Sequence, residues 1–286
     1  MTGILYVVAT PLGNLEDITL RALRILKEVD LIAAEDTRHS RKLLLHFGVR
    51  TPVTSYYDEV EERRAPALID RLKKGRSIAL ISDAGTPGIA DPGYRLIVGA
   101  IAAGIRVVPV PGPSVVMAAL SAAGLPTNRF VFEGFVPART VARRAFYAAL
   151  RHEPRTVVCF EAARRLPDSL ADLGAELGDR PVVVAREVTK VFEEFLRGSA
   201  ADLAARPGRE PVRGEVTLVI APGPPAAAAE SEEDVRAAVV HLRQQGVALK
   251  EIARTLARER GWARREVYRI GLGLGRASDP GVTDDE

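Results

Sequence analysis

The stretch ISDAGTPGIADPG, residues 81–93, says most about the fold of this chain. An apolar run, residues 78–81, stops at Ser82, and an apolar pattern of helical period resumes at Tyr94. Three glycines, two prolines and two aspartates lie in between. A buried strand that ends in an acidic, hydrogen-bonding loop and continues into a helix is typical of αβ proteins, whose ligands bind beyond the carboxyl ends of the strands. The stretch therefore predicts an αβ fold with a ligand-binding loop.

The same alternation of strand and helix extends to both sides of this stretch. Apolar runs of strand length occur at residues 4–9, 31–34, 77–81 and 105–110. Segments of helical period occur at residues 20–29, 37–47, 59–74, 94–103 and 115–123. The alternation predicts a mainly parallel sheet with helices on both faces, because parallel strands need crossover connections.

The alternation weakens at FVFEGFVPART, residues 130–140, and we place a domain boundary there. The expected strands of the second domain are residues 156–160, 181–187 and 215–221. We expect five successive regions: a first αβ domain at 1–135, a second αβ domain at 136–222, a linker at 223–231, a helical basic module at 232–275 and a disordered acidic tail at 276–286.

The helical module carries basic residues at the positions that its apolar residues leave exposed. Leu249, Ile252 and Leu256 form one apolar stripe, Gly261 interrupts it, and Val267 belongs to a second helix. The basic residues are Lys250, Arg254, Arg258, Arg260, Arg264, Arg265 and Arg269. Two interpretations stay open: a helix–turn–helix module that binds nucleic acid, and a helical appendage with an ordinary basic, solvated face.

Composition excludes several classes of protein. The 286 residues contain one cysteine, Cys159, which lies in an apolar run; this excludes a disulfide framework and indicates a reducing compartment. The four histidines are scattered, so we expect no metal site. No signal peptide is visible and no apolar run reaches the roughly 18 to 20 residues that cross a bilayer, so we expect a cytosolic protein. The formal net charge of +3 permits an anionic partner without requiring one.

Three loops rich in glycine and proline follow expected strands: ATPLGN (9–14), SDAGTPGIADPG (82–93) and VPGPS (110–114). Glycine lets backbone N–H groups approach a ligand, and the helix starts that follow offer unpaired donors. One such loop is usually only a turn, but three in one αβ domain predict a ligand crevice. None of them carries the lysine of a nucleoside triphosphate loop, and the first strand lacks a GxGxxG turn.

Charged residues also follow three expected strands. They are Glu35, Asp36, Arg38 and Arg41 after the second strand, Glu161 after the strand at 156–160, and Arg186, Glu187 and Lys190 at and just after the end of the strand at 181–187. A single charged strand end is often only solvated. Three of them predict a polar floor that converges on the crevice.

Several of these segments together resemble one known family. They are LYVVATPLGNLEDITLRALRILKEVDLIAAEDTRHSRKLL (5–44), ISDAGTPGIADPGYRLI (81–97), VPVPGPS (108–114), FEGFVP (132–137), REVTK (186–190) and GEVTLVI (214–220). In these residues the chain resembles the small-subunit ribosomal RNA methyltransferases, a bacterial branch of the tetrapyrrole methylase superfamily. The C-terminal segment 248–272 also resembles an extension that many members carry.

The resemblance implies a fold and a reaction. The fold is α/β: two αβ domains of the tetrapyrrole methylase type, the class III S-adenosylmethionine methyltransferases, plus a small helical C-terminal extension. S-adenosylmethionine is expected in the cleft between the two domains, usually within a homodimer. The reaction is 2′-O-methylation of a cytidine in the decoding region of 16S rRNA, as free rRNA or in the 30S subunit.

The resemblance also implies site residues. Asp83 corresponds to the aspartate of a Gly-Asp-Pro cofactor loop, with the glycine displaced to Gly85. The residues expected to hold the cofactor are Pro11, Leu12, Gly13, Asp83, Ala84, Gly85, Thr86, Ser114, Val115 and Glu161. The segment FEAARR departs from the Tyr-Glu-Ser-x-His-Arg pattern of the family: Glu161 and Arg165 match it, but Arg164 stands where histidine is usual. A proton-transfer role for that histidine is therefore not supported.

The ribose hydroxyl needs a proton acceptor, because it is a poor acid. The candidates are Glu35, Asp36 and Lys190. The arginines expected to bind RNA are Arg38, Arg41, Arg165, Arg186, Arg254 and Arg265. Two alternatives remain: a C-methyltransferase of a precorrin-type tetrapyrrole, which has little use for an arginine-rich module, and a non-catalytic RNA-binding or ribosome-assembly factor with a vestigial cleft.

Overall fold

The computed structural model describes residues 2–205, 214–224, 232–260 and 262–276. The chain divides into two units, Met1–Gly223 and Pro224–Glu286, and each has apolar cores of its own. Within the described ranges, no helix is both long and apolar enough to cross a lipid bilayer.

The first sheet is parallel throughout. Its strands are β1 Ile4–Val8, β2 Leu31–Ala34, β3 Val53–Ser55, β4 Ile78–Ile81 and β5 Arg106–Val110. They are arranged in the order β3-β2-β4-β1-β5. Strand β4 is central, so the loop that follows it lies between the ends of β2 and β1, where ligands of parallel αβ sheets bind.

Helices cover both faces of this sheet, as the sequence predicts. They are α1 Leu20–Glu28, α2 Thr37–His46, α3 Asp58–Lys73 and α4 Tyr94–Ala102. Ile78 and Leu80 of β4 pack into one core with α3 and α4, and Ala79 and Ile81 pack into the other with α1 and α2. Because successive side chains of a strand alternate between faces, an uninterrupted apolar strand serves both cores.

The second sheet is mostly antiparallel, so the expectation of mainly parallel strands is wrong for this half. Its strands are β6 Phe130–Phe135, β7 Thr156–Ala162, β8 Pro181–Arg186, β9 Glu194–Ser199 and β10 Glu215–Ile220, in the order β6-β7-β10-β8-β9. Only the β6–β7 pair is parallel. Residues 187–193 connect β8 to β9, and a loop this short can join only antiparallel neighbours.

The second layer begins earlier in the chain than the boundary expected after residue 135. Strand β6 pairs with β7, and helix α5, Val115–Ala123, packs Val116 and Leu120 against Val158, Val183 and Val219 of the second sheet. The other face of that sheet is covered by α6 Thr140–Ala149, α7 Leu166–Leu177 and α8 Ala200–Ala205. The apolar side of α5 therefore commits it to the second sheet, although it directly follows β5.

The unit Pro224–Glu286 contains three described helices: α9 Glu232–Gln244, α10 Leu249–Arg260 and α11 Arg264–Arg276. Ile252, Leu256, Val267 and Ile270 form its core together with residues of α9. The apolar stripes of α10 and α11 thus pack against α9. Most of the expected linker and acidic tail, residues 225–231 and 277–286, and Gly261 lie outside the described residues.

Candidate active site

The three glycine- and proline-rich loops are fastened together by hydrogen bonds. Thr10 and Gly85 exchange two backbone bonds, Thr10 N–H to Gly85 O at 2.9 Å and Gly85 N–H to Thr10 O at 3.0 Å. The Thr86 hydroxyl donates to the carbonyl of Pro113 at 3.2 Å. Gly85 adopts a φ of +79°, which side chains disfavour, and a Cβ there would press on Leu12. The loops therefore form one preorganised surface at the carboxyl end of the first sheet.

Glu35, Asp36 and Asp83 form a chain of hydrogen bonds at this edge. The Asp83 N–H donates to Glu35 Oε2 at 3.1 Å, and the Asp36 N–H donates to Asp83 Oδ1 at 3.1 Å. The Asp36 carboxylate turns the other way and caps α2, accepting from the N–H of Arg38 at 2.7 Å. The carboxylates of Glu35 and Asp83 thus each hold the backbone of the other segment, which fixes where these two side chains point.

A cavity of about 340 Å³ opens beside these loops. Both sheets of the unit Met1–Gly223 contribute to its wall. Its acidic residues are Glu35, Asp83, Asp91, Glu161 and Glu215, and its apolar residues include Leu12, Ile89, Val115, Phe135 and Phe160. A concave, mainly apolar pocket with a few converging charged groups is the usual form of a small-molecule site. We call it the first cavity.

Glu161 is the most buried acid of the first cavity, with its side chain fully enclosed. Its Oε1 accepts from Arg165 Nε at 2.8 Å and from the Ala162 N–H at 2.7 Å. Its Oε2 has no hydrogen-bond partner in the part of the chain that the structure describes. Leaving a buried acceptor unpaired costs about 1–3 kcal/mol, so this oxygen is suited to a donor on a ligand.

The pKa values of two other acids of the first cavity are raised. Burial raises the pKa of Glu35, and the negative charges of Asp83, Asp58 and Asp36 raise it further. The hydrogen bond from the Asp83 N–H lowers this pKa but does not cancel the rise. Burial raises the pKa of Asp91 to about 6, helped by Glu35 and Asp83 and opposed by Ser82. Like charges that crowd a partly dry pocket favour a cationic ligand.

We expect the Asp91→Asn variant to be more stable than the unaltered protein at pH 7.5 and equally stable at pH 4. A carboxyl whose pKa is higher in the folded than in the unfolded state makes stability fall as the pH rises from about 4 to about 6. The neutral amide of the variant avoids this loss of unfolding free energy. Because Asp91 is partly exposed, the loss amounts to about 1–2 kcal/mol. Urea unfolding followed by circular dichroism measures both values, and the same difference at both pH values would contradict the prediction.

A second cavity, of about 550 Å³, adjoins the first. The two share Leu12, Asp83, Ala84 and Glu215 in their walls. The second cavity is also lined by two lysines, Lys42 and Lys190, and by two histidines, His39 and His46. Both lysines thus lie only in the second cavity, and Glu35, Asp91 and Glu161 lie only in the first.

Lys190 lies on a strained loop after β8. Glu187 and Thr189 adopt left-handed φ angles of 50° and 68°, a conformation that concentrates at functional sites. Lys190 Nζ lies 3.1 Å from Glu187 Oε1 and 3.2 Å from Glu215 Oε2, and its stem occupies the space beside Gly13 that a Cβ would fill. Burial alone lowers the pKa of Lys190, but these two carboxylates outweigh it, so the pKa is raised and the ammonium stays charged.

The structure brings together most residues that the sequence singles out. Eight of the ten expected cofactor residues line the first cavity: Leu12, Asp83, Ala84, Gly85, Thr86, Ser114, Val115 and Glu161. Pro11 and Gly13 line the second cavity with Lys190. Of the proton-acceptor candidates, Glu35 lines the first cavity, whereas Asp36 lines neither and serves as the cap of α2.

The arginines expected to bind RNA are more scattered. Arg38 and Arg41 are exposed on α2 and line neither cavity, and Arg165 is engaged by Glu161. Arg186 is 3.4 Å from Glu194 and leaves its buried Nε without a partner among the described residues. Arg254 and Arg265 are exposed on α10 and α11 of the other unit.

The sequence does not single out two residues of the first cavity, Asp91 and Glu215. Asp91 lies near the end of the loop after β4, two residues before Gly93, the N-cap of α4, and the structure places it in the cavity wall. Glu215 is the first residue of β10, where a charged side chain is ordinary. Its place in both cavity walls depends on the antiparallel neighbours of β10, which no local pattern in the sequence signals.

Comparison with known proteins assigns the family. The model of the Tetrapyrrole (Corrin/Porphyrin) Methylases matches residues 4–204. The ribosomal RNA small subunit methyltransferase I of Synechocystis sp. is 45% identical over 274 residues, which cover 95% of this chain and 98% of that protein. The protein of the same name from Xylella fastidiosa is 50% identical over 221 residues, covering 76% of this chain and 81% of its own.

A solved structure supports the fold. The uroporphyrin-III C-methyltransferase of Thermus thermophilus superposes with a TM-score of 0.55 at 24% identity, over 77% of this chain and 94% of that one. At this identity the likeness concerns the fold alone, and the much closer sequence relatives decide the branch. The chain belongs to the tetrapyrrole methylase family, in the branch of the proteins named ribosomal RNA small subunit methyltransferase I.

Proposed function

We propose that this protein is an S-adenosylmethionine-dependent methyltransferase that methylates the ribose 2′-hydroxyl of a cytidine in the decoding region of 16S rRNA. The observation that carries the proposal is the pair of adjoining cavities at the carboxyl end of the parallel sheet, one lined by five acids and the other by two lysines as well as two acids. The names of the relatives supply the class of RNA. The cytidine, the 2′ position and a homodimeric state rest on the resemblance alone.

The first cavity suits S-adenosylmethionine. That molecule joins a cationic sulfonium and an ammonium group to a ribose and an aromatic base. Asp83 and Asp91 would complement the positive charges, and the unpartnered Oε2 of Glu161 would accept a hydrogen bond from a ribose hydroxyl or the ammonium group. Phe135 and Phe160, whose rings lie 5.2 Å apart, supply apolar surface of the kind that an adenine requires.

The chemistry asked of the chain itself is modest. S-adenosylmethionine, when bound, supplies an electrophilic methyl group, so the protein has to hold the ribose hydroxyl, exclude water and accept a proton. Correct positioning alone contributes about 7–11 kcal/mol to lowering such a barrier. The wall shared by the two cavities, with Leu12, Asp83 and Ala84, is where a hydroxyl held in the second cavity would face the first.

Glu35 is the candidate proton acceptor that the geometry favours. Its raised pKa makes it a stronger base than an ordinary carboxylate, and the N–H of Asp83 holds it in the cavity wall. Lys190 is a poor acceptor, because its raised pKa keeps it protonated. We assign it instead to stabilising the negative charge that develops on the hydroxyl oxygen as its proton leaves.

The basic helical unit gives a prediction on RNA affinity. We expect an Arg254→Gln/Arg265→Gln double variant to bind 16S rRNA more weakly. The slope of the logarithm of the binding constant against the logarithm of the salt concentration should become shallower by about one for each phosphate contact that is lost. S-adenosylmethionine affinity should stay as it is. The matched control is Arg243→Gln, which removes an exposed charge from α9. Filter binding between 50 and 200 mM salt measures the effect, and equal slopes for the double variant and the control would exclude an RNA role for these arginines.

Transfer of tritium from labelled S-adenosylmethionine tests the proposed function as a whole. With 30S subunits that lack the modification, we expect label in an alkali-resistant dinucleotide, because a 2′-O-methyl group blocks alkaline cleavage. Label in a precorrin-type porphyrinoid would overturn the proposal in favour of tetrapyrrole methylation. Absence of label from both substrates, with rRNA still bound, would indicate a non-catalytic assembly factor.

A further inference from the structure

Helix α2 presents a stripe of one lysine and two histidines to the second cavity. His39, Lys42 and His46 are three and four residues apart, so they share one face of the helix, and all three line the cavity. Arg38 and Arg41 precede two of them by one residue, which turns their side chains by about 100° around the helix. The arginines that stand out in the sequence therefore lie beside the stripe and not on it.

The wall of the second cavity also contains a buried hydroxyl, that of Ser40, without a hydrogen-bond partner among the described residues. Ser40 is 2% exposed and lines the second cavity, and its Oγ has no hydrogen-bond partner within the described ranges. Lys42 is exposed, and no carboxylate of the described residues lies within ion-pair distance of its ammonium group. A buried hydroxyl and a free ammonium group in one cavity are complementary to a ligand that is both anionic and rich in hydrogen-bonding groups.

We propose that the second cavity binds a nucleotide of the RNA strand, with its phosphate on Lys42 and its sugar or base against Ser40 and the rings of His39 and His46. This inference rests on the proposed function and assigns the RNA subsite within it. Glu35, Asp91 and Glu161 line only the first cavity, which suits a cation, whereas Lys42 lines only the second, where it suits a phosphodiester.

The volume of the second cavity agrees with this occupant. About 550 Å³ exceeds the volume of the first cavity and lies in the usual range for pockets that enclose an organic ligand. Histidine rings and a lysine stem offer flat and apolar surface for a splayed-out base, which is how proteins usually read single-stranded RNA. Lys190 enters the same cavity from the loop after β8, so the nucleotide would lie between the stripe and the proposed reaction centre.

The Lys42→Gln variant of the full chain tests the proposal. The probe is a fluorescent single-stranded RNA of about ten nucleotides with the sequence of the decoding region, and its binding is followed by anisotropy at several salt concentrations. We expect Lys42→Gln to weaken RNA binding about 5- to 20-fold. The slope of the logarithm of the binding constant against the logarithm of the salt concentration should become shallower by about 0.7, the value for one phosphate contact with a single strand. Its KM for 30S subunits should rise more than its kcat falls, since Lys42 binds the strand and does not touch the reacting atoms.

Two further variants make the result specific. Arg50→Gln removes an exposed charge beyond the end of α2, and we expect it to bind the RNA as the unaltered protein does. Ser40→Ala keeps the charge of the stripe and removes only the buried hydroxyl; we expect a smaller loss of RNA affinity with an unchanged salt dependence. Calorimetry with S-adenosylmethionine should give the same affinity for all three variants and the unaltered protein.

Several outcomes would overturn the proposal. One is an RNA affinity of Lys42→Gln equal to that of the unaltered protein. Another is an equal loss in an Arg41→Gln variant, which would show that the charge of α2 and not its cavity face attracts the RNA. A loss of S-adenosylmethionine affinity in Lys42→Gln would assign the cavity to the cofactor. If the unaltered protein labels no RNA in the tritium assay, the proposed function fails first; if it labels 30S subunits while Lys42→Gln binds RNA normally, only the subsite fails.

Discussion

The Asp83→Ala variant is expected to bind S-adenosylmethionine at least about 100-fold more weakly than the unaltered protein. The change removes a carboxylate from the first cavity, where a charged hydrogen bond to a cationic ligand is worth about 1.5–3 kcal/mol. It also removes the acceptor of the Asp36 N–H, which ties the loop after β4 to the start of α2. The two losses together exceed the 2.7 kcal/mol that corresponds to about 100-fold in affinity.

Asp83→Asn separates these two causes. The amide oxygen can still accept the bond from the Asp36 N–H, while the negative charge is gone. We therefore expect an intermediate affinity, about 10-fold below that of the unaltered protein. Isothermal titration calorimetry at pH 7.5 measures all three proteins. An unchanged affinity in Asp83→Ala would remove the loop after β4 from the cofactor site.

Glu35→Gln is expected to lower kcat by about 10²- to 10⁴-fold, the usual contribution of a positioned proton acceptor. The glutamine oxygen can keep the bond from the Asp83 N–H, so the loop stays in place and the affinity for S-adenosylmethionine should change far less than kcat. Single-turnover methylation of 30S subunits, with both substrates saturating, measures the chemical step.

The pH dependence of that step gives an independent check. Glu35 must be ionised to accept a proton, so kcat of the unaltered protein should rise with pH, with a midpoint above the ordinary carboxyl value because burial raises the pKa of Glu35. The glutamine variant should lack this rise. Asp36→Asn discriminates between the two neighbouring carboxylates: it keeps an oxygen to cap α2, and we expect nearly full activity. A loss in Asp36→Asn as large as in Glu35→Gln would contradict the assignment.

The parallel half of the fold could be predicted from the sequence because its signals are local. Each strand is an apolar run, each helix has an apolar period, and each junction carries glycine, proline or a capping residue such as Thr19, which accepts from the Ala22 N–H at 3.0 Å. The three loops were expected at one edge for the same reason, since consecutive parallel strands end on the same side. The bounds of helix α5 follow from the same local signals, whereas its packing against the second sheet does not.

Local patterns in the sequence were enough to place strands and loops, and the resemblance was enough to assign the family and to predict eight residues that line the first cavity. Tertiary structure alone decided which face of α2 lines a cavity, so that Lys42 and not Arg41 lies there. It also decided that Asp36 is a helix cap, that Asp91 is a half-buried acid and that Glu215 stands in the wall between two cavities. The physical reason is that hydrogen bonding and periodicity act between near neighbours in the chain, whereas burial, charge crowding and cavity walls depend on residues that only folding brings together.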